Sequence, residues 1–111
     1  MLIEKYIFYF EKANGFSSKK IGLTRALSSH ELFCLYSVRR LVNTSKASLK
    51  NFSIKSNYLL NDMAIYRSYK FLIEQGMIDG NTNNYCITIK GREYISLIRR
   101  WLLKQRISNS I

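Results

Sequence analysis

The chain has little with which to do chemistry. Among its 111 residues are one histidine, two cysteines and seven acidic side chains, and these do not gather into a site. His30 stands alone in what reads as the first turn of a helix, where an exposed polar role accounts for it. The carboxylates are scattered, and no Cys and His spacing of the zinc-binding kind occurs. Gly15, Gly22, Gly76, Gly80 and Gly91 fall singly, so no glycine-rich loop cradles a phosphate. These shortages argue against an enzyme and against any metal or other cofactor. Cys34 and Cys86 are far apart and set among apolar neighbours, which predicts two reduced, mostly buried thiols and no disulfide framework. Nothing near either marks a thiol of low pKa. Apolar runs are short: none approaches the roughly 20 residues of a spanning helix. The first residues also lack the basic stretch, apolar segment and small-residue cleavage site of a secretion signal. The expectation is a protein of the cytoplasm or nucleoid with no membrane partner.

Positive charge is what the sequence has in excess. Eighteen Lys and Arg give a formal net charge of +11 at pH 7, while a hydrophobic content of 47% is enough for one core in a chain of this length. The whole of 1–111 therefore reads as a single domain. Such a charge meets a polyanion or is simply solvated; nucleic acid is the commonest polyanion and an anionic membrane the second. Arrangement favours the first. From Lys19 to Lys70 the acids are Glu31 and Asp62 alone, against Lys19, Lys20, Arg25, Arg39, Arg40, Lys46, Lys50, Lys55, Arg67 and Lys70. Segregation of this kind suits counterion release from DNA.

Along the chain, Leu2, Ile3, Tyr6, Ile7 and Phe10 recur at helical spacing through 1–13. The run from Tyr6 to Phe10 before Asn14-Gly15 would equally suit a strand ending in a turn. A helix is preferred, and 14–26, with Gly, Ser and basic residues, reads as a connecting loop. Together 1–26 form an N-terminal extension. Ser28-Ser29-His30-Glu31 is a capping box, with Leu27 and Leu32 at the staple positions. It starts a helix whose apolar stripe runs through Leu32, Leu35, Tyr36 and Val38 towards Val42, ending near Asn43. A short amphipathic helix is expected over 46–56, with Leu49, Phe52 and Ile54 inward and Lys46, Lys50 and Lys55 outward. A longer helix should begin at Asn61 or Asp62 and run to Gln75, with Ile65, Tyr69, Leu72 and Ile73 facing the core and Gly76 ending it in the left-handed conformation. Met77-Ile78 and Tyr85-Cys86-Ile87 then flank Asp79 to Asn84 as a β-hairpin. Thr88 can cap a last helix over 89–107, whose Tyr94, Ile95, Leu97, Ile98, Trp101, Leu102 and Leu103 make an apolar face too wide for one small core.

The order helix, short helix, turn, longer helix, hairpin, helix is that of a winged helix-turn-helix, here spanning 27–92. The resemblance reaches individual residues. Leu72, Gly76, Met77 and Ile78 resemble the Leu-x-x-x-Gly-Leu-Ile ending of a recognition helix, and Tyr85, Ile87, Thr88 and Gly91 resemble the Tyr-x-Leu-Thr-x-x-Gly stretch after a wing. Over about 27–101 the chain is similar to MarR-type transcriptional regulators; PadR-like and archaeal or plasmid-borne winged helices share the pattern. Two features depart from the MarR type: the acidic-x-Arg pattern of the wing is absent, and 80–84 holds no Lys or Arg. The resemblance implies a mainly α (α+β) fold with flanking N- and C-terminal dimerisation helices.

It further implies sequence-specific binding to double-stranded DNA, with the helix from Asn61 in the major groove. With Ile65, Tyr69 and Leu72 inward, Met63, Ala64, Tyr66, Arg67 and Lys70 lie around its outer face. Arg67 suits guanine or a phosphate, Tyr66 a thymine methyl or a phosphate. Lys46, Lys50, Lys55 and Lys70 would position the protein on the backbone. Asn81 and Asn83 in the wing can reach phosphates or the minor groove, or serve only as turn formers. Tyr6, Phe10, Leu97, Trp101 and Leu102 are expected to form a homodimer contact, or else to pack within the monomer. No obligate small-molecule ligand is expected. A winged-helix module that binds another protein, as in a replication or partition assembly, is the alternative.

Overall fold

The computed structural model describes residues 3–41, 44–81 and 83–110, with side chains over 7–41, 44–81 and 83–104. Its elements are α1 (Ile3–Ile21), α2 (Ser29–Arg40), α3 (Lys46–Lys55), α4 (Asp62–Glu74), β1 (Ile78–Asn81), β2 (Asn84–Ile87) and α5 (Ile89–Ser110). Helices α2, α3 and α4 pack on one another, the hairpin follows α4, and α1 and α5 pack together against α2. This is a winged helix-turn-helix, mainly helical with a two-stranded wing.

The largest correction to the sequence expectation concerns α1. The helix is continuous to Ile21, so most of the expected loop over 14–26 is helical. Asn14 and Ser18 are tolerated here because they turn inward and find partners, whereas the buried Ser17 hydroxyl has none among the described residues. The buried Asn14 amide donates to the Leu27 carbonyl, the Ser18 hydroxyl donates to the Gly15 carbonyl at 3.3 Å, and the Tyr94 hydroxyl reaches the Asn14 carbonyl at 3.4 Å. The helix ends where Gly22 takes φ +80° and Leu23 N–H closes back on the Ser18 carbonyl at 3.0 Å.

Local capping signals read as expected. The Ser28 hydroxyl accepts from Glu31 N–H at 3.3 Å, and Glu31 accepts from Ser28 N–H at 2.8 Å, with Leu27 and Leu32 both buried. Helix α2 closes at Arg40; the expected continuation to Val42 and Asn43 lies outside the described residues. Ser45 and Ser48 form a second box that starts α3. Asn61 accepts from Ala64 N–H at 2.7 Å to start α4, and Gly76, at φ +74°, ends it. Ile54 and Ile73, expected inward, are exposed. In α4 the inward side belongs to Ile65, Ser68, Tyr69 and Leu72, and Ile73 lies about 100° further round than Leu72, outside that stripe.

The wing is tighter than expected. Pairing runs Ile78 to Ile87, Asp79 to Cys86, Gly80 to Tyr85 and Asn81 to Asn84, so the expected six-residue connection shrinks to residues 82–83. Gly80 makes this register possible: its φ is +107°, and a Cβ there would strike the Asn84 carbonyl. A further rung forms where Tyr85 N–H donates to the Thr44 carbonyl at 2.6 Å. The Tyr85 ring stacks on Tyr69 at 3.8 Å between centroids, which ties the wing to α4. Thr88 starts α5 as expected: its Oγ1 accepts from Gly91 N–H at 3.1 Å, and its carbonyl accepts from Arg92 N–H at 3.0 Å.

Much of the apolar surplus expected at a dimer interface is absorbed inside the monomer. Phe10 is buried, edge-on to Tyr36 at 6.2 Å, and has no surface to offer a partner. Tyr94, Ile95 and Ile98 are core; Trp101 and Leu102 pack against that core, half-buried, as is Leu97. Leu103 is exposed. The Tyr6 side chain lies outside the described residues.

Candidate nucleic-acid interface

The turn between α3 and α4 decides what α4 presents. At its near end, Tyr58 stacks on Phe33 at 4.6 Å and lies 3.0 Å from His30 Nδ1 through its hydroxyl. His30 thus serves the packing of α2 against this turn. With Ile65, Ser68, Tyr69 and Leu72 fixed inward, Arg67 and Lys70 stand in solvent. Met63 and Tyr66 are exposed to 57% and 58%. These four residues form one outward surface on α4, as expected. Ala64 is half-buried and packs against the core, so it offers less surface than the other four.

Of the expected backbone-positioning lysines, Lys46 and Lys55 are exposed, whereas Lys50 is already engaged. Its ammonium meets Asp62 Oδ1 at 2.9 Å, joining the middle of α3 to the first turn of α4. The Lys50 hydrogen bond, its charge and that of Lys46 hold the Asp62 carboxyl below its ordinary pKa. Any phosphate approaching Lys50 must therefore share it with Asp62. The expected wing residues are exposed, but Asn81 is also used locally: its Oδ1 accepts from Asn83 N–H at 2.9 Å, the turn-forming role foreseen for it.

Arg25 was grouped with the basic surface by sequence and turns out to be an anchor. It grips Glu31 with two hydrogen bonds of 2.8 and 2.7 Å and lies over the Phe71 ring at 3.8 Å. Burial would raise the Glu31 pKa, but the Arg25 hydrogen bond and the Ser28 amide outweigh it and hold the carboxyl below its ordinary value. Both acids of the 19–70 stretch are thus ion-paired, and no other ion pair forms among the described residues. The surface around α4 also has apolar members that sequence reading missed. Leu59, just before α4, is exposed to 79%, and Ile54 at the end of α3 is exposed too. Periodicity had assigned Ile54 to the core, and Leu59 lies in a turn, where periodicity carries no information.

Cys34 is buried beside Ser68, and burial pushes its thiol up to about 12, which leaves it protonated and inert. Cys86, expected to be mostly buried, is exposed because alternate residues of β2 face outward. Among the described residues, no helix is long and apolar enough to cross a membrane, and no cluster of His, Cys, Asp or Glu fits a metal.

No protein-family profile matches the sequence, and no curated protein is significantly similar to it. Solved structures do match. The activation domain of the phage T4 transcription factor MotA superposes with a TM-score of 0.68 at 14% identity, covering 93% of this chain and 95% of that one. A MarR transcriptional regulator from Methanosarcina mazei Go1 superposes with a TM-score of 0.58 at 15% identity, covering 97% of this chain and 86% of that one. Identities this low establish the fold. The MarR-type resemblance carried by Leu72, Gly76, Tyr85 and Thr88 is matched by this likeness in three dimensions.

Proposed function

We propose that this chain is a transcriptional regulator that binds double-stranded DNA sequence-specifically, with α4 in the major groove. The observation that carries the reading is the outward face of α4. Arg67 and Lys70 stand there in solvent beside Met63 and Tyr66, within a basic stretch whose two acids are already ion-paired. In this arrangement Arg67 suits the paired acceptors of guanine, and Met63 and Tyr66 suit thymine methyls. Lys46, Lys55 and Lys70 would hold phosphates, with Lys50 shared between Asp62 and the backbone. Asn81 and Asn83 would touch DNA weakly, since the wing tip has no cation. Two copies meeting through the half-buried Leu97, Trp101 and Leu102 would present two α4 helices to half-sites about one DNA turn apart. Such a protein is a non-enzyme of the cytoplasm and needs no small-molecule ligand.

The test is a fluorescence-anisotropy titration of a labelled random-sequence duplex at low and moderate salt. Wild type should bind, the binding should fall steeply with salt, and Arg67→Ala and Lys70→Ala should each weaken it. Absence of binding at low salt would remove the reading. A protein-binding role for the same face is favoured by one observation: Ile54, Leu59, Met63 and Tyr66 expose apolar surface around α4. Binding to a protein through that surface would be nearly insensitive to salt.

A further inference from the structure

A second outward face lies on α1. Ile7, Phe10, Ala13, Asn14, Ser17 and Ser18 turn inward. The opposite side carries Phe8, Lys12, Phe16 and Lys20, each four residues from the last, with Gly15 and Lys19 between them. Phe8 and Phe16 are exposed to 52% and 54%. The Lys12 ammonium sits 4.7 Å from the centre of the Phe8 ring, and that of Lys20 sits 4.4 Å from the centre of Phe16. The same aromatic and lysine pair thus repeats after two helical turns, about 12 Å along the axis. Glu11, one helical turn before Gly15, is the one acid on this side among the residues whose side chains are described, and it lies at the edge of the face. Helix α1 packs on α5 and α2, whereas α4 packs on α2, α3 and β1. The α1 face is therefore separate from the one that presents Arg67.

Gly15 is the telling residue. Glycine inside a helix costs about 1 kcal/mol relative to alanine. At Gly22, Gly76 and Gly80 a positive φ accounts for the residue, and at Gly91 crowding does; at Gly15 neither holds, and a Cβ would meet nothing within 4 Å. Nothing inside the monomer requires the missing side chain. What it leaves is a shallow notch of bare backbone between two aromatic rings and their lysines.

We infer that the outward face of α1 docks an acidic amphipathic helix of a partner protein. The apolar side of that helix would cross α1 at Gly15 between Phe8 and Phe16, and its carboxylates would meet Lys12, Lys19 and Lys20. Packed helices approach to within 8–10 Å, roughly, according to the side chains at the crossing, so a glycine at the crossing is useful to a helical partner. A lipid surface would gain more from a bulky apolar residue at that position. A second copy of the chain would set lysine against lysine in a protein of net charge +11. Stacking of nucleic-acid bases would compete with the ammonium groups already over Phe8 and Phe16.

The probe is a synthetic, fluorescein-labelled amphipathic helix with leucines at i, i+3, i+4 and i+7 and glutamates on both flanks. Its counterpart carries lysine in place of glutamate. Anisotropy should show the acidic peptide binding wild type and binding Gly15→Leu and Lys12→Glu/Lys19→Glu about tenfold or more weakly. The lysine peptide should prefer the Lys12→Glu/Lys19→Glu protein. Circular dichroism controls for folding, since Gly15→Leu removes a helical glycine and should melt no lower than wild type. The inference is overturned if the acidic peptide fails to bind, or if it binds Gly15→Leu as well as wild type. It is equally overturned if the Phe8 and Lys12 face proves to bind vesicles of equal phosphatidylcholine and phosphatidylserine, or to drive self-association by sedimentation. None of these readouts depends on whether α4 binds DNA.

Discussion

Gly91→Ala should destabilise this protein even though it replaces a helical glycine with the best helix former. At this position a Cβ would collide with the Met77 carbonyl oxygen and lie 2.8 Å from Ile87 Cγ1. Neither neighbour can yield cheaply. Met77 is fully buried, and its carbonyl accepts from Thr88 N–H at 3.1 Å while lying 2.9 Å from Thr88 Oγ1. Overpacking a fitted site costs about 1–3 kcal/mol. Weakening the hydrogen bonds to the displaced carbonyl adds about 1 kcal/mol for each bond lost. Helix propensity returns about 1 kcal/mol. The balance is a loss of about 2 kcal/mol, or a fall in Tm of roughly 8–16 °C for a domain of this size. The same substitution at Gly15 meets no atom within 4 Å and should raise Tm by about 4–8 °C. Thermal melts followed by circular dichroism decide both. A Gly91→Ala protein melting at or above wild type would refute the steric reasoning, and with it the account of why a glycine stands three residues after Thr88.

Acid should unfold the protein partly through Glu31. Its carboxyl is held below its ordinary value of 4.5, so its stabilising contribution is complete above about that pH and is lost as pH falls through the lower folded value. Glu31→Gln should cost about 1–2 kcal/mol at neutral pH and flatten the acid limb of a stability-against-pH curve measured by urea titration. In thiol titration with a chromogenic disulfide, the exposed Cys86 should react in the native protein and the buried Cys34 only after unfolding. Two fast thiols would contradict the packing of α2 against α4.

What sequence made legible is what short-range chemistry decides. The Ser28 and Glu31 box, the Asn61 cap and the left-handed Gly76 involve partners within a few residues, so they could be read before any fold was known. The inward side of α4 followed from helical period for Ile65, Tyr69 and Leu72, with the errors at its margins: Ile73 is exposed, Ser68 is buried and Ala64 is half-buried. Where partners are distant, reading failed. Asn14 looks like a loop former until Leu27 and Tyr94 are brought beside it. Arg25 looks like free surface charge until Glu31 pairs with it and Phe71 lies beneath it, although its side chain stays half exposed. The apolar face of α5 looks too wide for one core until α1 is seen to run on to Ile21 and pack against it.

The same distinction bears on function. Local rules place Arg67 and Lys70 on an outward helix face, but only the folded chain shows that Glu31 and Asp62 are already neutralised by Arg25 and Lys50. Free carboxylates near α4 would repel phosphates at the distances where salt screens least. Here both acids of 19–70 are joined to a cation, Arg25 at the entry to α2 and Lys50 between α3 and α4, whereas Glu74, exposed in the last turn of α4, is in no ion pair among the described residues. The acids of this stretch thus stabilise the scaffold, while Lys46, Lys55, Arg67 and Lys70 remain outside any ion pair among the described residues. Such a division of labour leaves the first turns of α4 without an unpaired carboxylate, and Glu74 in its last turn is the acid that still opposes Arg67 and Lys70 on that helix.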